Sequence, residues 1–344
     1  MFQDISVEEL LKLQKDKQFS LIDVRSPSEF KESTIPGSYN IPVFNDEERA
    51  EIGTLYKQVS VDAAKERGLE IMSAKLPAFV KEFKQLEGNK VVFCWRGGMR
   101  SRTAATVLSL MDVHVYRIHG GIKAYRKLVV DTLNQTRLNA EALVLHGFTG
   151  TGKTAILQQL QKEGYPVLDL EGLSGHRGSI FGHIGLNSHN QKTFDSLLFE
   201  QLREIGEAPY VLFEAESKRI GKVVLPDFLI EKKEEGLAIV IDMPIEERVT
   251  QIMNDYRPAE YKDEYIQAFN RIKDRIHTPI AAEIGRHLSE DRFPEAIHLL
   301  LTHYYDPKYD HSSRHYDESK QLVVHVRSTT EGVQAVKELV NQRF

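Results

Sequence analysis

The stretch GFTGTGKT, residues 147–154, narrows the folds open to this chain more than any other feature. It fits G-x-x-x-x-G-K-[ST], follows the apolar run EALVLH directly and opens the helix-patterned KTAILQQLQKEG. A strand, a glycine turn and a helix in that order require a parallel α/β sheet, because the loop can aim its amides only from the end of a buried strand. Such amides cradle a di- or triphosphate, a lysine reaches the terminal phosphates and the hydroxyl residue can hold Mg²⁺. The phosphate contacts are therefore assigned to Gly147, Gly150, Gly152, Lys153 and Thr154, with Thr154 as the metal-ligating residue and Lys153 as a catalytic one. Glu214, in YVLFEAES, is a candidate acidic partner for the cation, and Glu216 and Asp169 compete for that role.

Further strands are predicted at 166–170, 210–213, 237–242 and 322–326, and the charged stretch near 245–305 reads as a helical insertion. Ahead of the phosphate loop the chain shows the same alternation once more. Strands are predicted at 20–24, 39–43, 90–94 and 114–118, with helical spacing over 46–88, 101–111 and 122–134. The fold class is α/β twice over, with a first domain at 1–133 and a phosphate-loop domain at 134–344. At 344 residues the chain is long enough for two separate cores. It holds one cysteine, too few for a disulfide or a multi-cysteine zinc site, and no apolar stretch of bilayer-spanning length, so a cytoplasmic location without membrane contact is expected. The net charge of −5 argues against a broadly basic surface and leaves room for a local basic groove.

That single cysteine, Cys94, sits in VVFCWRGGMRSRTAA, at the end of a buried-strand pattern and just before a helix predicted to begin near Arg100 or Ser101. A helix N-terminus aimed at a thiol lowers its pKa and stabilises a bound anion. Gly97 and Gly98 let the chain curl its amides inward, and Arg96, Arg100 and Arg102 add charge, so the loop suits an anion beside a nucleophile. Together with LIDVRSPSEFKESTIPGSYNIP (21–42) and HGGIKAYR (119–126), this loop resembles that of the rhodanese family. The resemblance implies a sulfur- or selenium-carrying Cys94 and a structural role for Asp23 and Arg25. The Cys-x5-Arg spacing from Cys94 to Arg100 is one residue longer than in simple thiosulfate sulfurtransferases and suits a tetrahedral phosphorus oxyanion. Phe93 stands where phosphatases of that spacing usually have histidine, which favours selenophosphate or thiophosphate over a phosphoprotein.

Two loops after strands of the second domain are rich in glycine, histidine and arginine. DLEGLSGHRGSIFG (169–182) and EAESKRIGKVVLP (214–226) line the end of the sheet where ligands bind in open α/β folds. With the late YYDPKYDHS (304–312), they make the whole chain similar to the tRNA 2-selenouridine synthase family. The resemblance implies a transferase that replaces the sulfur of 2-thiouridine by selenium at the wobble position of tRNAs for lysine, glutamate and glutamine. It further implies selenophosphate and geranyl diphosphate as co-substrates, S-geranyl-2-thiouridine as intermediate, Mg²⁺, and a selenophosphate-supplying enzyme as a possible partner. Cys94 and Arg100 would then be catalytic, and Arg96, Gly97, Gly98 and Ser101 would frame selenophosphate. His176, Arg177, Ser179, Glu214, Glu216 and Arg219 would meet tRNA or substrate, and Lys222 and the cationic helix predicted at 271–276 are further tRNA candidates. Two other readings stay open at this point: an ATP-dependent tRNA thiolase with a Cys94 persulfide, and a regulatory module in which the cysteine loop senses an oxyanion.

Overall fold

The computed structural model describes residues 2–308 and 320–344. The chain divides into two compact units, one running through Gln135 and taking in Asp195–Phe199, the other formed by Thr136–Phe194 and Glu200–Phe344.

The first unit is built on β1 (Gln3–Ile5), β2 (Phe19–Asp23), β3 (Tyr39–Asn40), β4 (Asn89–Phe93) and β5 (Val115–Ile118), in the order β1-β5-β4-β2-β3 with every pairing parallel. Parallel strands need crossovers, and helices on both faces bury the central ones. Val91, Val92 and Phe93 are accordingly fully buried in one apolar run instead of alternating with polar residues. The strand expected over 39–43 pairs only at Tyr39 and Asn40; beyond them Ile41 and Val43 still donate single backbone bonds to Asp23 and Val24. The helical spacing over 46–88 resolves into two helices, Asp46–Gln58 and Val61–Gln85. They separate at Val59, and Ser60 caps the second by accepting from the Ala63 amide.

The second unit carries β6 (Glu141–His146), β7 (Val167–Leu168), β8 (Tyr210–Glu214), β9 (Arg219–Ile220), β10 (Val223–Val224), β11 (Leu237–Asp242) and β12 (Gln321–His325). Five of these form a parallel sheet in the order β12-β11-β6-β8-β7, and β9 and β10 form a separate antiparallel ribbon. Helices Lys153–Lys162 and Thr329–Arg343 close one face over a core of Leu143, Leu145, Ile156, Leu160, Ile239 and Val336. Between β11 and β12 the helices Ile245–Tyr256, Lys262–Asn270, Thr278–Ser289 and Phe293–Leu300 gather a core of their own around Phe269, Ile284, Phe293 and Tyr304.

The segment 271–276 is not the cationic helix its charges suggested. Only Lys273–Arg275 turn, as a single 3₁₀ turn, and Ile272 and Ile276 on either side are buried anchors. Of the stretch 304–312, residues from 309 onward lie outside the described residues. No helix among the described residues is long and apolar enough to cross a membrane.

One buried ion pair ties the first unit together. Arg25 is 1 % exposed and directs Nε and Nη2 at the fully buried Asp23 carboxylate, with the closest contact at 2.6 Å. Thr34 Oγ1 donates to the same carboxylate at 2.9 Å, and Arg25 Nη2 also donates to the Ser33 carbonyl. Both oxygens of the Asp23 carboxylate, and Nε and Nη2 of Arg25, therefore have partners at the end of β2. Removing one partner strands the other charge in the core. Asp23→Ala is expected to cost about 3–5 kcal/mol, read as a lower midpoint in urea unfolding; a variant as stable as the parent would deny the pair its structural role.

Candidate functional site

In the first unit the loop between β4 and the helix Met99–Leu110 closes around Cys94. Its thiol is 3 % exposed and lies 3.2 Å from Ser101 Oγ, itself buried in the first turn of that helix. The helix starts at Met99 with Gly98 as its N-cap, one or two residues before the start expected near Arg100 or Ser101. The loop is braced from the C-terminal end of β5. Ile122 N donates to the Cys94 carbonyl at 2.9 Å and Lys123 N to the Trp95 carbonyl at 3.1 Å. This approach demands Gly121: a Cβ there would lie 2.1 Å from the Cys94 carbonyl oxygen and 2.5 Å from Gly97 N. The glycine pair of HGGIKAYR is therefore part of the cysteine loop, although 26 residues separate the two in sequence.

The arginines of this loop divide. Arg100 is turned onto Glu29 as a two-point ion pair, with Nη2 to Oε1 at 3.1 Å. Burial works against both charges, yet each strengthens the other: the Glu29 carboxyl is held below the ordinary carboxylate range and the Arg100 guanidinium is raised. Arg96 and Arg102 are exposed. Arg117 on β5, which the sequence pattern did not single out, donates to the Gly97 carbonyl at 2.6 Å and pairs with Asp4. It pins the turn containing Gly97 and Gly98.

In the second unit the loop after β6 takes the conformation its glycines permit. Gly147, Gly150 and Gly152 all have positive φ, and a Cβ on each would strike, in turn, the Ile241 carbonyl at 2.6 Å, Ile252 at 2.7 Å and Thr329 at 2.4 Å. Arg248, 3 % exposed, holds the loop from behind: Nε donates to the Thr149 carbonyl at 2.9 Å, the guanidinium grips Asp306 with both Nη atoms, and Phe148 stacks on it. Lys153 Nζ bends back to the Gly147 and Phe148 carbonyls, at 2.8 and 3.2 Å. The loop faces a cleft of about 950 Å³ that Glu171, Glu216, Arg177 and Lys233 also line.

Thr154 Oγ1 donates to Glu171 Oε2 at 2.7 Å, which makes Glu171 the carboxyl group beside the candidate metal position. Glu171 lies in the short helix Leu170–Ser174 and its amide donates to Glu214 Oε1 at 2.7 Å. Glu214, at the end of β8, is 1 % exposed, and its second oxygen has no partner. Asp169, the third acidic candidate, caps the short helix through the Gly172 amide and accepts from Gln158, both at 2.8 Å. A Cβ on Gly178 would sit 2.8 Å from Glu216 and 3.3 Å from Glu171, so this glycine lets the two carboxyl groups approach the loop backbone. Among the described residues no group of three or more His, Cys, Asp or Glu side chains forms a ready metal cage. A cation bound at Thr154 would take most of its oxygens from ligand phosphates and water, as hard cations at phosphate loops do.

Burial governs the charge state here. Glu171 is pushed up to about 8, first by burial and then by the charge of Glu216, against the opposing effects of Thr154 and Lys153. Glu214 and Glu216 are raised as well, both first by burial. His146, at the end of β6, is lowered to about 4 by burial and by Lys153 and Lys233, and stays neutral.

The loop residues 176–179 fill structural as well as lining positions. Arg177 donates to the Ile184 and Asp255 carbonyls and lies 4.7 Å over Tyr256, so its cation is engaged within the unit. His176 is wedged between Gly182 and Gly221, where a Cβ on either would approach its ring within 3 Å, and it stacks on His183. Ser179 Oγ accepts from the Phe181 amide and faces the cleft. Arg219 and Lys222 are exposed at the β9–β10 ribbon.

The rhodanese-like domain family matches residues 6–128, and the family described as the tRNA 2-selenouridine synthase AAA domain matches residues 140–293. The tRNA 2-selenouridine synthase of Aeromonas salmonicida is 32 % identical over 84 % of this chain and 86 % of its own length. The chain belongs to the tRNA 2-selenouridine synthase family. Its likeness to the family's enzyme from Pseudomonas syringae pv. tomato is 33 % over 86 % of this chain and 88 % of that one, and to that of Nitrosomonas eutropha 37 % over 69 % and 62 %. Both units thus fall within one family of enzymes.

The raised Glu171 carboxyl has a consequence for stability. An unfolded glutamate releases its proton near 4.5 and the folded one near 8, so between these values the native state holds more protons than the unfolded chain. Its contribution is complete below about 4.5 and declines as pH rises toward about 8. Glu171→Gln should melt within a degree or two of the parent near pH 5 and above it near pH 8.5, in thermal scans across that range. Parallel pH profiles for the two proteins would contradict the assignment.

Proposed function

We propose that this enzyme replaces the sulfur of 2-thiouridine by selenium in the tRNAs for lysine, glutamate and glutamine, in two steps that use geranyl diphosphate and then selenophosphate. The observation that carries this reading is the presence in one chain of two different anion loops, one closed around a buried thiol and the other opening a helix with Lys153 and Thr154. One is suited to presenting a chalcogen donor, the other to neutralising a diphosphate.

In the first step the base sulfur attacks C1 of geranyl diphosphate. A carbon–sulfur bond forms, the carbon–oxygen bond breaks, N3 of the base gives up its proton and diphosphate leaves. Departure is eased where negative charge builds up on the leaving oxygens, and Lys153, the loop amides and the helix N-terminus are the groups that meet it. Thr154 would hold Mg²⁺, which supplies further neutralisation of the diphosphate when bound.

In the second step selenium of selenophosphate, held at the Cys94 loop by the amides after Gly97 and the start of the helix at Met99, attacks C2 of the base. Geranylthiol leaves with a proton, and water cleaves the selenium–phosphorus bond to release phosphate. Alkylation matters because it turns the base sulfur into a leaving group that departs as a neutral thiol. Arg96 and Arg102, exposed at this loop, are suited to the anionic donor, while Arg100 shapes the loop through Glu29. Arg219 and Lys222 are the cations suited to tRNA phosphates in the second unit, since Arg177 is engaged inside it.

The reading is tested with 2-thiouridine-containing tRNA, Mg²⁺ and geranyl diphosphate, with and without selenophosphate, followed by mass spectrometry of the wobble nucleoside. The parent should give the geranylated nucleoside without selenophosphate and the selenated one with it. Cys94→Ala should lower selenation and keep geranylation, because the loop that presents the donor closes around this thiol, and Lys153→Ala should lose both. Geranylation at parental rates by Lys153→Ala, or turnover that requires ATP and a sulfur donor, would overturn it.

A further inference from the structure

We propose that a small apolar pocket in the helical part of the second unit receives the distal end of the hydrocarbon tail of the diphosphate ester, and so sets the chain length that the enzyme accepts. The inference rests on the reading that the phosphate loop holds the diphosphate of such an ester.

The pocket has a volume of about 50 Å³ and lies among Phe181, Ile252, Leu288, Phe293, Ile297 and Leu300. The surface that its lining leaves open is almost wholly apolar. Tyr265 gives its hydroxyl to the Tyr256 carbonyl at 3.1 Å, and the Tyr256 hydroxyl is bonded to Ser179, so both present ring carbon to the space. A purine would meet almost only carbon there, and burying its ring nitrogens against carbon is costly. A hydrocarbon would lose nothing.

Position ties the pocket to the phosphate loop. Thr149, within the loop itself, lines both the pocket and the phosphate cleft, as do Ser179, Tyr256 and Tyr305. The two spaces adjoin at the loop, so a ligand anchored by its diphosphate can pass its tail from one to the other. Size makes the assignment specific. One water needs roughly 10–15 Å³ on this measure, so 50 Å³ admits roughly three to five water-sized groups, at most one five-carbon branched unit. The first unit of a ten-carbon tail would lie by the loop in the wider cleft and the second would fill the pocket.

Ile297 projects from the helix Phe293–Leu300 into this pocket and is remote from the phosphate-contacting residues in sequence and role. Calorimetric titration of the full chain with inorganic diphosphate, dimethylallyl diphosphate, geranyl diphosphate and farnesyl diphosphate tests the proposal. The parent should bind geranyl diphosphate at least about tenfold more tightly than inorganic or dimethylallyl diphosphate, as burial of several CH₂-sized groups implies. Ile297→Phe should reduce that preference to within about threefold while leaving inorganic diphosphate unchanged. Ile297→Ala, which serves if the larger side chain prevents folding, should instead improve farnesyl relative to geranyl diphosphate by about tenfold. Preferences identical to the parent in both variants would overturn the pocket assignment and leave the phosphate loop in place. Lys153→Ala separates the two ideas: weakened binding of inorganic diphosphate supports the underlying reading, and unchanged binding would remove the pocket's anchor and the proposal with it.

Discussion

Close approach of neighbouring elements to the loop backbone, possible only where a Cβ is missing, is the constraint on which both candidate sites depend. At the cysteine loop Gly121 brings the start of the helix Gly121–Gln135 against the Cys94 carbonyl; any side chain there would overlap it. At the phosphate loop three glycines in left-handed or related conformations press against Ile241, Ile252 and Thr329 from three different elements. An anion cradle needs several amides pointing the same way, a conformation that a free chain rarely holds. Here tertiary contact imposes it. Arg117 and Arg248 complete the work, each giving its guanidinium to a loop carbonyl that would otherwise turn inward.

What could be read in the sequence was whatever depends on local spacing. Strands buried on both faces announce themselves as unbroken apolar runs, and β4, β6, β8 and β11 stand where such runs are. The phosphate-loop glycines carry their geometry in their spacing. The pieces that escaped are short or depend on distant partners. β1 has three residues and the β9–β10 ribbon two on each side, too few to show a period. Glu29 meets Arg100 across 71 residues, and Arg248 meets Asp306 across 58. Charge alone would have put Glu29, Arg248 and Asp306 on the surface and turned Arg100 toward the anion.

Glu171 is the instructive case. The sequence offered Glu214, Glu216 and Asp169 as partners of the phosphate loop because acids at strand ends are the familiar arrangement. In the structure Asp169 caps a helix, Glu214 orients the Glu171 amide, and Glu171 itself reaches Thr154. The signal was present in DLEG, where two acids flank one leucine at the end of β7, but only the five-residue helix Leu170–Ser174 decides which of them turns toward the loop. The glycine of HRGS likewise belongs to this carboxyl cluster as much as to any ligand.

The crowding of Glu171, Glu214 and Glu216 behind Lys153 also makes the phosphate loop a proton store. A multiply charged anion settling there raises the affinity of these carboxyl groups for protons, whereas a divalent cation lowers it. Anion capture without a metal would therefore favour proton uptake, and a divalent cation bound beside the anion would oppose it. Occupancy of the loop becomes a joint function of three chemical activities, those of ligand, cation and hydrogen ion, and an acidification of the surroundings acts on it as a co-ligand would.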